Sequence, residues 1–159
     1  QIVKSNIVKD VLENIERYSA ANNHYVFEIT ETIEMDQIPA VQNVFKEFVK
    51  NEFRFAIDDF GTGYSNYGYM RDRTFDIVKV DRSFVTDIDK LKDNYLMVSF
   101  IIKMAHEMGL HVCIEGVETK EELSCVKKLG ADYIQGYYYG KPVCLQDFEE
   151  QHLKRFVLG

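Results

Sequence analysis

The stretch Phe55-Ala56-Ile57-Asp58-Asp59-Phe60-Gly61-Thr62-Gly63-Tyr64-Ser65 decides the reading of this chain. Phe53 to Ile57 reads as a strand, and it delivers two adjacent carboxylates to a glycine turn. Like charges so placed repel. The usual resolution is a bound cation, and hard divalent cations favour oxygen donors. Taken alone, Asp-Asp before Gly is also a plain turn signal. Side chains alternate along a strand, so regular geometry does not let both aspartates face one site. The chain is expected to turn here, with Gly61 and Gly63 permitting it.

Working outward, strands and helices alternate. Ile2 to Tyr18 carries Val3, Ile7, Val11, Ile15 and Tyr18 at helical spacing, and Tyr25 to Thr30 reads as a strand. Val41, Val44 and Phe48 mark a helix opened by Pro39. After the Asp-Asp strand come a strand from Phe75 to Val80 and a helix lined by Leu96, Phe100, Ile101, Met104 and Met108 that Gly109 stops. Leu110 to Ile114 is a strand. Thr119 and Glu122 form a capping box for a helix that ends at Gly130. Tyr133-Ile134-Gln135 begins a last strand, and Leu145 to Phe156 a final helix. The alternation predicts parallel βαβ units, either a doubly wound sheet or part of a (β/α)₈ barrel. A whole barrel typically takes about 250 residues. The 159 residues here therefore predict an α/β, partial TIM-barrel-like fold of about five parallel strands, not closable by this chain alone.

Composition narrows the classes. The net charge of −7 disfavours a nucleic-acid polymer as partner. No apolar run is long enough to span a bilayer. Cys113, Cys125 and Cys144 are odd in number and lack CxxC spacing, which fits small buried hydrophobes in a reducing cytoplasm rather than a disulfide or zinc framework. His24, His106, His111 and His152 share no ligand spacing and read as structural or surface residues. Tyr137-Tyr138-Tyr139 reads as core and strand edge before base-stacking platform. No GxxxxGK[ST] occurs, and Asn66 stands where GxGxxG needs glycine, so a nucleotide loop is disfavoured.

Chemistry gathers where the strands stop. Glu28 and Glu31 end the first strand, Asp58 and Asp59 the second, and Lys79 and Asp81 the third. Glu115 and Glu118 end the fourth, and Gln135 the fifth. A parallel α/β fold places all these ends on one face, the face that carries active sites. Glu28, Asp58, Asp59 and Glu115 form a donor set for one or two divalent metals, which would bind an attacking water and neutralise an anionic phosphoryl group. Lys79 reads in three ways: as a salt-bridge partner, as a group orienting or deprotonating water, or as the Schiff-base lysine of a barrel lyase, which predicts borohydride trapping of a carbonyl substrate. Glu31 and Glu118 read either as site residues, Glu118 among the catalytic group with Lys79, Glu115 and Gln135, or only as hydrogen-bonding supports.

Five blocks in order resemble the EAL family of bacterial cyclic-di-GMP phosphodiesterases: Phe27-Glu28-Ile29-Thr30-Glu31-Thr32, Asp58 to Ser65, Val78-Lys79-Val80-Asp81-Arg82-Ser83-Phe84, Ile114-Glu115-Gly116-Val117-Glu118-Thr119 and Gln135-Gly136-Tyr137-Tyr138. The resemblance implies a TIM-barrel-like fold and Mg²⁺- or Mn²⁺-dependent opening of one phosphodiester of cyclic-di-GMP to linear pGpG, in the bacterial cytoplasm. It implies that Glu28, Asp58 and Asp59 ligate metal, with Asp58 bridging. Lys79 would orient the water, Glu115 would serve the metals directly or through water, and Gln135 would lie beside metals and substrate. Glu31 and Glu118 would hold the loop from Asp59 to Ser65, which the family associates with dimerisation.

The Glu-Ala-Leu segment that names the family, the Arg after it and the family's Asn ligand are not found ahead of the first block. Residues 1–159 are therefore read as the C-terminal portion of one such domain, expected to have little or no activity alone. It is also expected to self-associate through that loop or through open sheet edges. Any membrane anchor would belong to other domains. The alternative is a catalytically degenerate domain that senses cyclic-di-GMP or binds a protein partner.

Overall fold

The computed structural model describes residues 7–16, 25–30, 39–62 and 74–150. Five strands form one parallel sheet in chain order: β1 (Val26–Thr30), β2 (Arg54–Phe60), β3 (Ile77–Val80), β4 (His111–Ile114) and β5 (Tyr133–Ile134). The helices are α1 (Ile7–Glu16), α2 (Pro39–Lys50), α3 (Lys92–Glu107), α4 (Lys120–Leu129) and the short α5 (Leu145–Phe148). Consecutive neighbours in a parallel sheet are the sequential βα winding of a barrel wall, not the reversed order of a doubly wound sheet. Among the described residues the sheet does not close, and β1 and β5 are its edges.

Period-two alternation assigns the two faces. Phe27, Ile29, Phe55, Ile57, Val78, Val80, Val112, Ile114 and Ile134 belong to the helix-covered core. One part of it is an aromatic cluster: Phe45 lies 4.1 Å from Phe55 and Phe27 4.7 Å from Phe48, ring centre to ring centre. The intervening positions carry Glu28, Ala56, Asp58, Lys79 and Cys113 on the other face. Such a face is polar only where chemistry is built on it, because parallel strands are otherwise apolar throughout.

Two terminus signals act as the sequence predicts. Thr119 Oγ1 accepts the Glu122 N–H at 3.1 Å while Glu122 accepts the Thr119 N–H at 3.0 Å, and Gly130 ends α4 at φ +90°. Helix α3 differs from expectation. Its buried stripe is Val98, Ile101, Ile102 and Ala105, and Leu96 and Phe100 are exposed. The chain carries apolar residues on two stripes of this helix, and only the 98/101/102/105 stripe meets the sheet. The predicted extensions of α1 to residues 2 and 18, and of the last helix over 151–156, lie outside the described residues; α5 itself ends at Phe148, and residues 149–150 continue it as a wider π turn.

Candidate metal centre

The glycine turn after β2 is preceded by a break in the strand. Ile57 pairs with Val78 but Phe60 with Val80, three steps along β2 against two along β3. One extra residue sits in β2, a β-bulge, and Asp59 takes φ +54° to make it. Ile57 and Phe60 both stay in the core at 2% exposure, while Asp58 and Asp59 stand between them away from it. Gly61 follows at φ +97°, where a Cβ would press on the Phe84 ring. Asp59 and Gly61 together therefore make the turn, Gly61 as expected and Asp59 in addition. Asp tolerates this conformation better than most residues. Gly63 lies outside the described residues, with Glu31 and the rest of the loop to Ser65.

With both aspartates released, one carboxylate oxygen from each of Asp58, Asp59 and Glu115 lies within 4.8 Å of the other two. Among the described residues, no other group of three His, Cys, Asp or Glu side chains does so. Lys79 sits at the hub. Its Nζ lies 2.8 Å from Glu28 Oε1, Asp58 Oδ1 and Glu115 Oε1, on a side chain only 7% exposed. Strands β1 and β2 and the end of β4 thus deliver one carboxylate each to the ammonium on β3. Burial works to lower the Lys79 pKa, but its hydrogen bonds to Asp58, Glu115 and Glu28 outweigh it. The pKa stands above the ordinary lysine value. A lysine so held is a cation and a hydrogen-bond donor. It is not a free amine, which disfavours the Schiff-base reading and the water-deprotonating one. Cys113, beside Lys79 in the sheet, is not a reactive neighbour: burial and the Glu115 carboxylate push its thiol up to about 11.

A cleft of about 800 Å³ opens beside Glu115 and is lined by Arg82, Glu118, Gln135, Tyr137 and Lys141 among others. Asp81 caps the 3₁₀ turn Arg82–Phe84 by accepting the Ser83 N–H at 2.9 Å, so it shapes the site without joining the carboxylate cluster. Arg82, presented by that turn, reaches Glu118 at 3.0 Å. Gln135 is fixed by backbone pairing: its N–H donates to Ile114 O at 2.8 Å, and its carbonyl accepts the Val117 N–H at 3.2 Å.

A sequence model of the EAL domain matches residues 1–142. The chain belongs to the EAL domain family. Over 92% of its length it is 34% identical to the probable cyclic di-GMP phosphodiesterase PdeA of Escherichia coli (strain K12). The EAL enzyme Bd1971, in its cAMP- and cyclic-di-GMP-bound form, superposes with a TM-score of 0.85 at 33% identity, over 94% of this chain and 39% of that one. The manganese and cy-diGMP complex of Klebsiella pneumoniae BlrP1 superposes with a TM-score of 0.79 at 27% identity, over 87% of this chain and 36% of that one. The chain spans 14 to 23% of the length of four curated relatives, PdeA included.

The family frame sorts the sequence-based site residues. This EAL chain brings Glu28, Asp58, Asp59, Lys79 and Glu115 into one cluster, with Gln135 and Glu118 on the adjoining cleft. Glu28 meets the cluster through Lys79 and is half exposed. Among the described residues Glu118 is seen holding Arg82, the basic residue whose part the sequence reading left unassigned. Its only signal was a charge just past the Lys79 strand end. The three tyrosines are exposed rather than core: they lie on a turn after the two-residue strand β5, too short to bury them. His106 and His111 are structural, both meeting Asp132, at 2.8 and 3.5 Å. Cys144 is exposed, unlike the partly buried Cys113 and Cys125. No described helix is long and apolar enough to cross a membrane.

Proposed function

We propose that this EAL domain opens cyclic-di-GMP to linear pGpG using Mg²⁺ or Mn²⁺. The observation that carries the reading is the convergence of Asp58, Asp59 and Glu115 within 4.8 Å. These all-oxygen donors suit hard divalent cations, and among the described residues Lys79 is the cation that meets Asp58 and Glu115. Asp58, Asp59 and Glu115 would hold the metal, with Glu28 adjoining through its shared contact to Lys79. Bound metal would supply Lewis acidity, neutralising phosphoryl oxygens and lowering the pKa of the attacking water.

The protein's own groups do the rest. Lys79, kept cationic, donates hydrogen bonds that orient the water and offset charge on the phosphoryl group. The cleft beside Glu115 offers Arg82 and Lys141 to an anionic ligand, which an acidic chain needs locally. Gln135, held by both its backbone groups, offers an amide at the boundary between cluster and cleft. Among the described residues the sheet is open at β1 and β5, and self-association through those edges is expected.

The test is hydrolysis of cyclic-di-GMP by the full-length protein in Mg²⁺, Mn²⁺ or Ca²⁺, with product identified by chromatography. Formation of pGpG in Mg²⁺ or Mn²⁺, abolished by Asp58→Asn, is the expected result. Tight binding of cyclic-di-GMP without turnover in any metal would refute the hydrolytic reading and mark a receptor.

A further inference from the structure

Only two charged side chains are buried among the described residues, Lys79 and Glu122, each at 6% exposure. Lys79 is the hub of the metal centre. Glu122 lies outside it, on the first turn of α4, and no step proposed above uses it. A carboxylate is buried only where hydrogen bonds replace its water, so its partners show what it is for.

A capping box needs one bond from the Glu side chain, to the backbone N–H of the capping residue. Glu122 makes that bond through Oε2 to Thr119 and two more. Oε2 also accepts the Glu118 N–H at 2.9 Å, and Oε1 accepts the Asp87 N–H at 3.2 Å. Glu118 belongs to the loop after β4 and Asp87 to the turn after β3, 31 residues apart in sequence. These are the two segments that present the partners of the Arg82–Glu118 ion pair, both of which line the cleft. On the Arg82 side, Thr86 N–H and Oγ1 both donate to Arg82 O, and Asp87 takes φ +55°, a conformation that needs outside support. On the Glu118 side, Gly116 takes φ +71°, and a Cβ there would collide with the Arg82 side chain. Glu115, one residue earlier, is in the carboxylate cluster.

We infer that Glu122 is a positioning residue for the proposed reaction: it staples the β3 and β4 loops together and so fixes the Arg82–Glu118 pair, and the Arg82 side chain so held packs on Gly116 and positions Glu115. Burial raises its carboxyl pKa, but the N–H groups of Glu118, Thr119 and Asp87 outweigh that and hold it below the ordinary glutamate value. The staple is therefore ionised at neutral pH and its bonds are charge-assisted. The inference rests on the phosphodiesterase reading, and the experiment separates the two.

In the full-length protein, Glu122→Gln keeps the shape and one acceptor oxygen but loses the charge and one side of the staple. Its kcat for cyclic-di-GMP is expected to fall about tenfold or more, the usual cost of losing a group that orients a metal ligand, with KM little changed. In a Glu118→Gln background, where the ion pair is already gone, the same substitution is expected to cost no more than about twofold further. A full tenfold loss in both backgrounds, or no loss in either, overturns the inference.

If the parent protein does not hydrolyse cyclic-di-GMP, the proposed activity fails and the staple is read otherwise. Hydrogen exchange at the Asp87, Glu118 and Thr119 amides and Mn²⁺ affinity are compared in parent and Glu122→Gln protein. Faster exchange with weaker Mn²⁺ binding supports the staple. Faster exchange with unchanged Mn²⁺ affinity, or unchanged exchange, overturns it.

Discussion

Lys79→Met is the substitution that the geometry defines best. The ammonium contacts three carboxylates at 2.8 Å each. At an effective dielectric of about 20, each such contact is worth on the order of 6 kcal/mol before desolvation. Burying the ammonium offsets most of that sum, so the net value of the hub is modest. The cost of removing it is not, because Asp58 and Glu115 are left as like charges with no cation between them. Breaking a buried pair by deleting one partner costs about 3–5 kcal/mol. Glu28 is half exposed and contributes little, which places the expected loss near 3 kcal/mol. That is roughly a 6–12 °C fall in midpoint for a domain of this size. The assay is thermal unfolding of full-length parent and Lys79→Met protein, each in EDTA and in saturating Mn²⁺. A metal supplies the missing positive charge, so the fall in Mn²⁺ is expected to be less than half of that in EDTA. A fall below about 2 °C in EDTA, or equal falls in both, refutes the view that Lys79 is the cation of the carboxylate cluster.

Two further outcomes follow from the scaffold. Asp132 accepts from His106 Nε2 at 2.8 Å and from the Val112 N–H at 2.7 Å. Burial raises its carboxyl pKa, but those bonds and His111 outweigh it and hold it below the usual aspartate value. Its contribution to stability is therefore complete above about pH 4, the unfolded-chain value, and is lost as pH falls through the lower folded one. Asp132→Asn is expected to cost about 1–2 kcal/mol at pH 7 and to remove part of the acid limb of a urea-unfolding series between pH 2.5 and 7; an unchanged limb counts against this assignment. Gly136→Ala would drive a Cβ into the Val117 backbone, moving the loop that holds Gln135. A loss of about 1–3 kcal/mol in stability is expected, together with reduced cyclic-di-GMP turnover, and wild-type values for both would count against it.

Most of the fold was legible because its signals are local. The alternation of strand and helix, the capping box at Thr119 and Glu122 and the stop at Gly130 each act within a few residues, and each forms. The cluster was legible for a topological reason: in a parallel sheet, strand ends share a face, so acids at successive ends must meet. What the sequence did not disclose depends on packing between segments. Helix α3 has apolar residues on two stripes, and only the sheet decides that Ile101 is buried and Phe100 exposed. Arg82 gains its role from Glu118, 36 positions away. The tyrosines look like core by composition, yet β5 is two residues long and leaves them on a turn.

The bulge at Asp59 shows why the aspartate pair and its flanking apolar residues must be considered together. In an unbroken strand, Phe60 would share a face with Asp58, and either the ring would lose its core position or the carboxylate would enter the core. Inserting one residue returns Phe60 to the Ile57 side at 2% exposure and leaves both aspartates free to converge with Glu115. The cost is a left-handed backbone at a non-glycine residue, on the order of 1–2 kcal/mol for a typical side chain and less for aspartate. Burying the Phe60 side chain contributes about 1.5–3 kcal/mol, enough to hold the bulge in place without metal. The core thus pre-forms the donor set, and a metal bound there would not need to reorganise the strand. Phe60 in β2 is therefore as much a determinant of the candidate metal centre as the acids beside it.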